Sequence, residues 1–75
     1  DLRGKYAEDA IEELDKYLED ANLAGLDWIR IVHGKGTGAL RSAVRNYLKG
    51  HRYVMDFRDG SREEGGYGAT VVSLK

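Results

Sequence analysis

From Ala7 to Ala21 the apolar side chains recur at Ala7, Ala10, Ile11, Leu14, Leu18 and Ala21, one face of a helix, and the positions between them are mostly Glu, Asp and Lys. A helix over Ala7–Asn22 with an acidic outer face must bury its apolar stripe against another element, and the chain supplies candidates at once. Gly25 suits a left-handed cap behind a last turn ending near Leu23. Trp28-Ile29-Arg30-Ile31-Val32 is short, β-branched and aromatic, which predicts a strand largely buried on both faces. Leu40, Val44, Tyr47 and Leu48 return to helical spacing, and Gly50 ends that segment. Tyr53–Arg58 and Ala69–Leu74 read as strands, separated by a loop that opens at Asp59-Gly60-Ser61 and runs through Gly65, Gly66 and Gly68.

Asp1-Leu2-Arg3-Gly4 reads as the tail of a strand entering a turn, so the expected order is strand, helix, strand, helix, strand, strand. Alternating strands and helices imply parallel, right-handed crossovers. The expected fold class is therefore α/β of the two-layer α+β kind: a small mixed four-stranded sheet with both helices packed on one face. At 75 residues the chain is a single domain that buries about 60% of its unfolded surface. So abrupt a start suggests a domain excised from a longer protein. With no cysteine there is no disulfide framework and no zinc-thiolate site, and a reducing cytoplasm is the expected compartment. No apolar run approaches the ~20 residues that span a bilayer, and no membrane partner is expected.

The net charge of −1 hides a segregation. Residues 1–27 carry nine acids and three bases, whereas residues 28–62 carry eight bases and two acids. One acidic and one basic face are compatible with that total, and a phosphate responds to the local field.

In such a topology the carboxyl ends of parallel strands share one edge of the sheet, where ligands bind. That edge collects Asp1, Arg3, His33 and Lys35, and, if the strand over Tyr53–Arg58 is parallel too, Arg58 and the second glycine loop. Gly34, Gly36 and Gly38 let backbone N–H groups approach an anion without a Cβ in the way, and the following helix adds its N-terminal partial charge. Lys35 and the Thr37 hydroxyl add donors, as Gly65, Gly66 and Gly68 do from the second loop. Arg41, Arg45 and Lys49 recur every four residues and form a stripe able to track phosphates, or simply a solvated face. Gly34-Lys35-Gly36-Thr37-Gly38 fits neither the P-loop nor the dinucleotide fingerprint, which argues against ATP or NAD.

His33 at a strand end, in its neutral form, can take a proton from water or a ribose hydroxyl, with Arg3 and Lys35 stabilising charge on the phosphoryl oxygens. Asp1 has three readings: orienting His33, pairing with Arg3, or holding a divalent ion. His51 reads as a surface residue. Asp56, Asp59, Glu63 and Glu64 lack calcium-loop spacing and read as solvated loop acids. Tyr6, Tyr17, Tyr47 and Trp28 read as core or edge packing.

Asp1-Leu2-Arg3-Gly4, His33-Gly34-Lys35-Gly36-Thr37-Gly38 with Leu40-Arg41, and Gly65-Gly66-Tyr67-Gly68-Ala69-Thr70 together resemble the Smr (small MutS-related) domain along essentially the whole chain. Arginine at position 3, where many stand-alone members have histidine, looks like the branch at the C-terminus of bacterial MutS-like ATPases of the second paralogue group. The resemblance implies a fold like the C-terminal domain of a bacterial translation initiation factor. It also implies non-specific DNA nicking or RNA cleavage, in a parent protein linked to suppression of recombination and DNA repair or to rescue of stalled ribosomes. The family's acid and base of the first motif map onto Asp1 and Arg3, and its glycine-loop histidine onto His33.

The expected function is thus a nucleic-acid-binding endonuclease module, acting on DNA or RNA, with His33, Asp1 and Arg3 as the catalytic candidates. Mg2+ or Mn2+ is left open as a cofactor, and the other domains of the parent and the ribosome as partners. Two alternatives stand beside it: a docking module of the same surface without chemistry, and a protein-interaction module using the acidic first helix.

Overall fold

The acidic-faced segment forms α1 (Ala7–Leu23) in a computed structural model that describes all 75 residues. Glu8 and Asp9 lie in its first turn, where carboxylates favour the helix dipole. It ends as its glycine requires: Gly25 adopts φ +70°, and the Leu26 N–H donates back to the Ala21 carbonyl at 3.1 Å. The chain continues through β1 (Trp28–Val32), α2 (Ala39–Leu48) and β2 (Val54–Asp59). Two short 3-10 turns at Arg62–Glu64 and Gly66–Gly68 then lead into β3 (Ala69–Leu74).

The sheet has three strands in the order β1-β3-β2, with β3 antiparallel to both neighbours. This corrects the expected mixed four-stranded sheet. The Asp1–Arg3 segment makes a single rung, from the Leu2 N–H to the Val32 carbonyl at 2.6 Å, before Gly4 turns the chain away at φ +79°. The last strand inserts between the other two. β1 and β2 therefore run parallel to one another without touching, and the crossover through α2 joins strands of like direction on either side of an antiparallel one.

The register sorts the side chains. Trp28 faces Ser73 and Arg30 faces Val71 on one side of the sheet, while Ile29 with Val72 and Ile31 with Thr70 lie on the other. Both helices cover this second face, where Leu14 and Leu18 of α1 and Val44 and Leu48 of α2 close over Ile29, Ile31, Val54, Val72 and Leu74. Each fully buried leucine stabilises the fold by about 1.5–3 kcal/mol. Since one face is bare, β1 alternates instead of being buried on both sides, and Trp28 stays 57% exposed. Tyr6 is exposed too, and neither residue packs as expected. Only the central strand, β3, is buried along most of its length. Tyr47 does pack against the core, and its hydroxyl donates to the Asp15 carboxylate, tying α2 to α1. Burial and the Asp15 carboxylate push this phenol up to about 12. No helix is long and apolar enough to cross a membrane.

Candidate nucleic-acid interface

The topology brings the carboxyl ends of β1 and β2 and the start of β3 to one edge, with Val32 opposite Ala69 and Asp59 opposite Thr70. Continuing the alternation of β1 by one residue points His33 to the helix-covered side, where it is only 3% exposed. Its Nε2 lies 2.9 Å from the Thr70 hydroxyl and its Nδ1 lies 2.9 Å from the Gly34 carbonyl. A carbonyl only accepts, so Nδ1 carries the hydrogen, and in the neutral ring Nε2 accepts the Thr70 proton. The ring nitrogen left to take a proton from substrate thus already accepts a hydrogen bond from a fully buried threonine.

The first glycine loop is held by the second. The His33 and Gly34 N–H groups both donate to the Gly68 carbonyl, at 3.1 and 2.9 Å. Gly34 has φ +78°, and a Cβ there would stand 3.2 Å from Arg3 Cγ, so the Arg3 side chain passes close over the loop. Gly36 and Gly38 also take positive φ, +40° and +86°. The N–H groups of Lys35, Gly36, Thr37, Leu40 and Arg41 find no acceptor in the protein; Ala39 donates to the Thr37 hydroxyl at 3.3 Å. No acid stands in the first turn of α2 to neutralise its dipole. The loop separates two open concavities. One, of about 400 Å³, is lined by Arg3, Lys5, His33 and the loop. The other, of about 450 Å³, is lined by the loop with Arg41, Ser42 and Tyr67.

The predicted basic stripe does not form. Arg41 and Arg45 both donate to one oxygen of Asp59, at 2.7 and 2.5 Å, and each keeps a buried Nε with no partner. Asp59, expected as a solvated loop acid, instead ends β2 on the helix-covered side and draws both guanidiniums onto the sheet. Arg41 and then Arg45 hold its carboxyl below the usual range. Lys49 caps the opposite end of α2, about 15 Å from the glycine loop at the helical rise. Arg58 alternates to the bare face and pairs with Glu64 at 2.9 and 3.3 Å. That pairing, with the Ser61 N–H donating to the same carboxylate, lowers Glu64 to about 2. Gly65 and Gly66, with φ +107° and +55°, shape the turn that presents Tyr67. His51 is half-buried, its Nδ1 accepting from the Tyr53 N–H at 3.1 Å, and is not simply a surface residue.

Asp1 takes the second of its three readings. Its carboxylate accepts from the Arg3 backbone and guanidinium, closest at 2.6 Å, in an exposed pair. The residues present do not fit a resident divalent ion, because no three His, Cys, Asp or Glu side chains converge and Asp1 is already filled by Arg3. Sequence reasoning missed three residues of this edge: Asp59, Thr70 and Tyr67. Thr70 and Asp59 were findable from alternation, since they face each other on the helix-covered side of adjacent strands.

A helix N-terminus with unbonded amides and a three-glycine loop above the buried His33–Thr70 pair define a small α+β domain with one glycine-rich edge. The chain matches the Smr domain family over residues 1–75. It is 59% identical over 75 residues to the Endonuclease MutS2 of Caldicellulosiruptor bescii, covering 100% of this chain and 10% of that protein. It is 56% identical over 75 residues to the Endonuclease MutS2 of Listeria innocua, with the same coverage of 100% and 10%. Its structure is similar to the crystal structure of the Smr domain of Thermus thermophilus MutS2, with a TM-score of 0.96 at 47% identity over 99% of this chain and 92% of that one. It is also similar to YdaL, a stand-alone small MutS-related protein from Escherichia coli, with a TM-score of 0.92 at 26% identity over 99% of this chain and 63% of that one. This chain belongs to the Smr domain family, and it spans about a tenth of the length of the curated MutS2 relatives it matches.

Proposed function

We propose that this domain is a nucleic-acid-binding endonuclease module that grips a phosphodiester at the glycine loop. The observation that carries the reading is the set of unbonded amides at Lys35, Gly36, Thr37, Leu40 and Arg41, flanked by the side chains of Lys35 and Arg3. Such a cradle lowers the energy of negative charge on phosphoryl oxygens, in the ground state and more so as charge grows. The name of the relatives, Endonuclease MutS2, supports cleavage. In a parent of that kind, the suppression of recombination and the rescue of stalled ribosomes differ in which nucleic acid is gripped. The test incubates the 75-residue chain with supercoiled plasmid and with a structured RNA, as wild type and Lys35→Ala. Cleavage of one substrate, reduced in the variant, is the expected result.

One observation favours a second reading, binding without chemistry. His33 is buried with both ring nitrogens committed inside the protein, so a proton reaches it only if Thr70 gives way. Under that reading neither substrate is cut, yet a gel shows both retarded by the domain in a salt-dependent way. Lys35→Ala then reduces the salt slope by about 1, while Lys49→Ala, at the far end of α2, leaves it unchanged.

A further inference from the structure

Tyr67 stands at the tip of the second glycine turn, 60% exposed, and its hydroxyl bonds to nothing in the protein. This largely open aromatic ring is not loose. The Arg41 guanidinium lies 4.0 Å from the ring centroid, and Arg41 is itself fixed by Asp59 at 2.7 Å. Behind the ring, the turn is locked by the reciprocal bonds of Ser61 and Glu64 and by Gly65 at φ +107°. The ring is therefore a flat surface held before any ligand arrives, which removes the ordering cost that a free side chain would impose. It shares its concavity with Lys35 and the unbonded amides of the glycine loop.

We propose that this concavity holds one unpaired nucleotide, its phosphate on the glycine-loop amides and Lys35 and its base stacked on the open face of Tyr67. The inference rests on the phosphate grip proposed above and names the substrate at that point as single-stranded. A base inside a duplex has both faces covered by its neighbours, and only a splayed or unpaired base offers one to an aromatic side chain. The Arg41 cation behind the ring adds to the stack without reading sequence, so the site discriminates by strandedness and not by base.

The test is a fluorescence-anisotropy titration of the 75-residue chain with one labelled mixed-sequence oligonucleotide, single-stranded and annealed to its complement, in DNA and RNA arms. Tyr67→Ala is expected to weaken single-strand binding by about fivefold or more and to leave duplex binding unchanged. Tyr67→Phe keeps the ring and is expected to bind as the wild type does. The arm bound more tightly identifies DNA or RNA as the source of the nucleotide. An equal loss on both strand forms, or no loss on either, overturns the proposal. If Lys35→Ala weakens binding while Tyr67→Ala has no effect, the phosphate grip stands and the stacking site falls. A wild-type chain that binds no oligonucleotide overturns both.

Discussion

His33 Nε2 and the Thr70 hydroxyl meet at 2.9 Å beneath the glycine loop, joining the residue after β1 to the second residue of β3. The other ring nitrogen holds the Gly34 carbonyl, so one imidazole fixes the entry to the loop from below.

Thr70→Val removes the hydroxyl and leaves Nε2 buried without a partner. Chemical denaturation is expected to show a loss of about 1–3 kcal/mol. The nitrogen shifts of His33 in the wild type are expected to report a hydrogen on Nδ1, and this preference weakens in the variant. An unchanged midpoint together with an unchanged tautomer would show that the pair does not brace the loop.

Two glycines of the site predict opposite outcomes. Gly34→Ala forces a side chain into the left-handed region at φ +78° and places its Cβ 3.2 Å from Arg3 Cγ, so stability falls by at least about 1–2 kcal/mol. Gly68→Ala meets Gly34 only at 3.5 Å and needs no positive φ, so it is neutral or gains about 0.4–1 kcal/mol. Thermal melts of the two variants decide it, and equal losses would refute the contrast.

Acid stability depends on carboxylates that the arginines hold ionised. Arg58 lowers Glu64 from 4.5 to about 2, and Arg41 with Arg45 lowers Asp59. A depressed folded value means that the contribution is complete above about pH 4.5 and fades as pH falls through about 2. Melts between pH 5 and pH 2 are expected to steepen in that window for the wild type and to flatten for Glu64→Gln and for Asp59→Asn. A Glu64→Gln profile parallel to the wild type would remove that pair from the account.

Much of this edge was legible because local patterns agree with the fold: α1 and β3 lie where their periods put them, and the glycine loop sits beside Arg3 as strand direction demanded. What failed was pairwise. Charge spacing placed Arg41, Arg45 and Lys49 on one stripe, but spacing along a helix does not reveal an acid on the adjacent strand, and Asp59 claims the first two. Trp28 misled because an apolar run reads the same whether one face of its sheet is covered or two. The missing first strand follows from scale, since one backbone rung at Leu2 does not make a ladder.

The strand that holds the sheet together is also the last of the three in sequence. Until Ala69–Leu74 docks, β1 and β2 have no hydrogen-bonding neighbour in common, and the Gly68 carbonyl is not in place to pin His33 and Gly34. Pairings this distant along the chain form late. The loop after β1 therefore takes its shape only when a segment far along the chain closes the sheet.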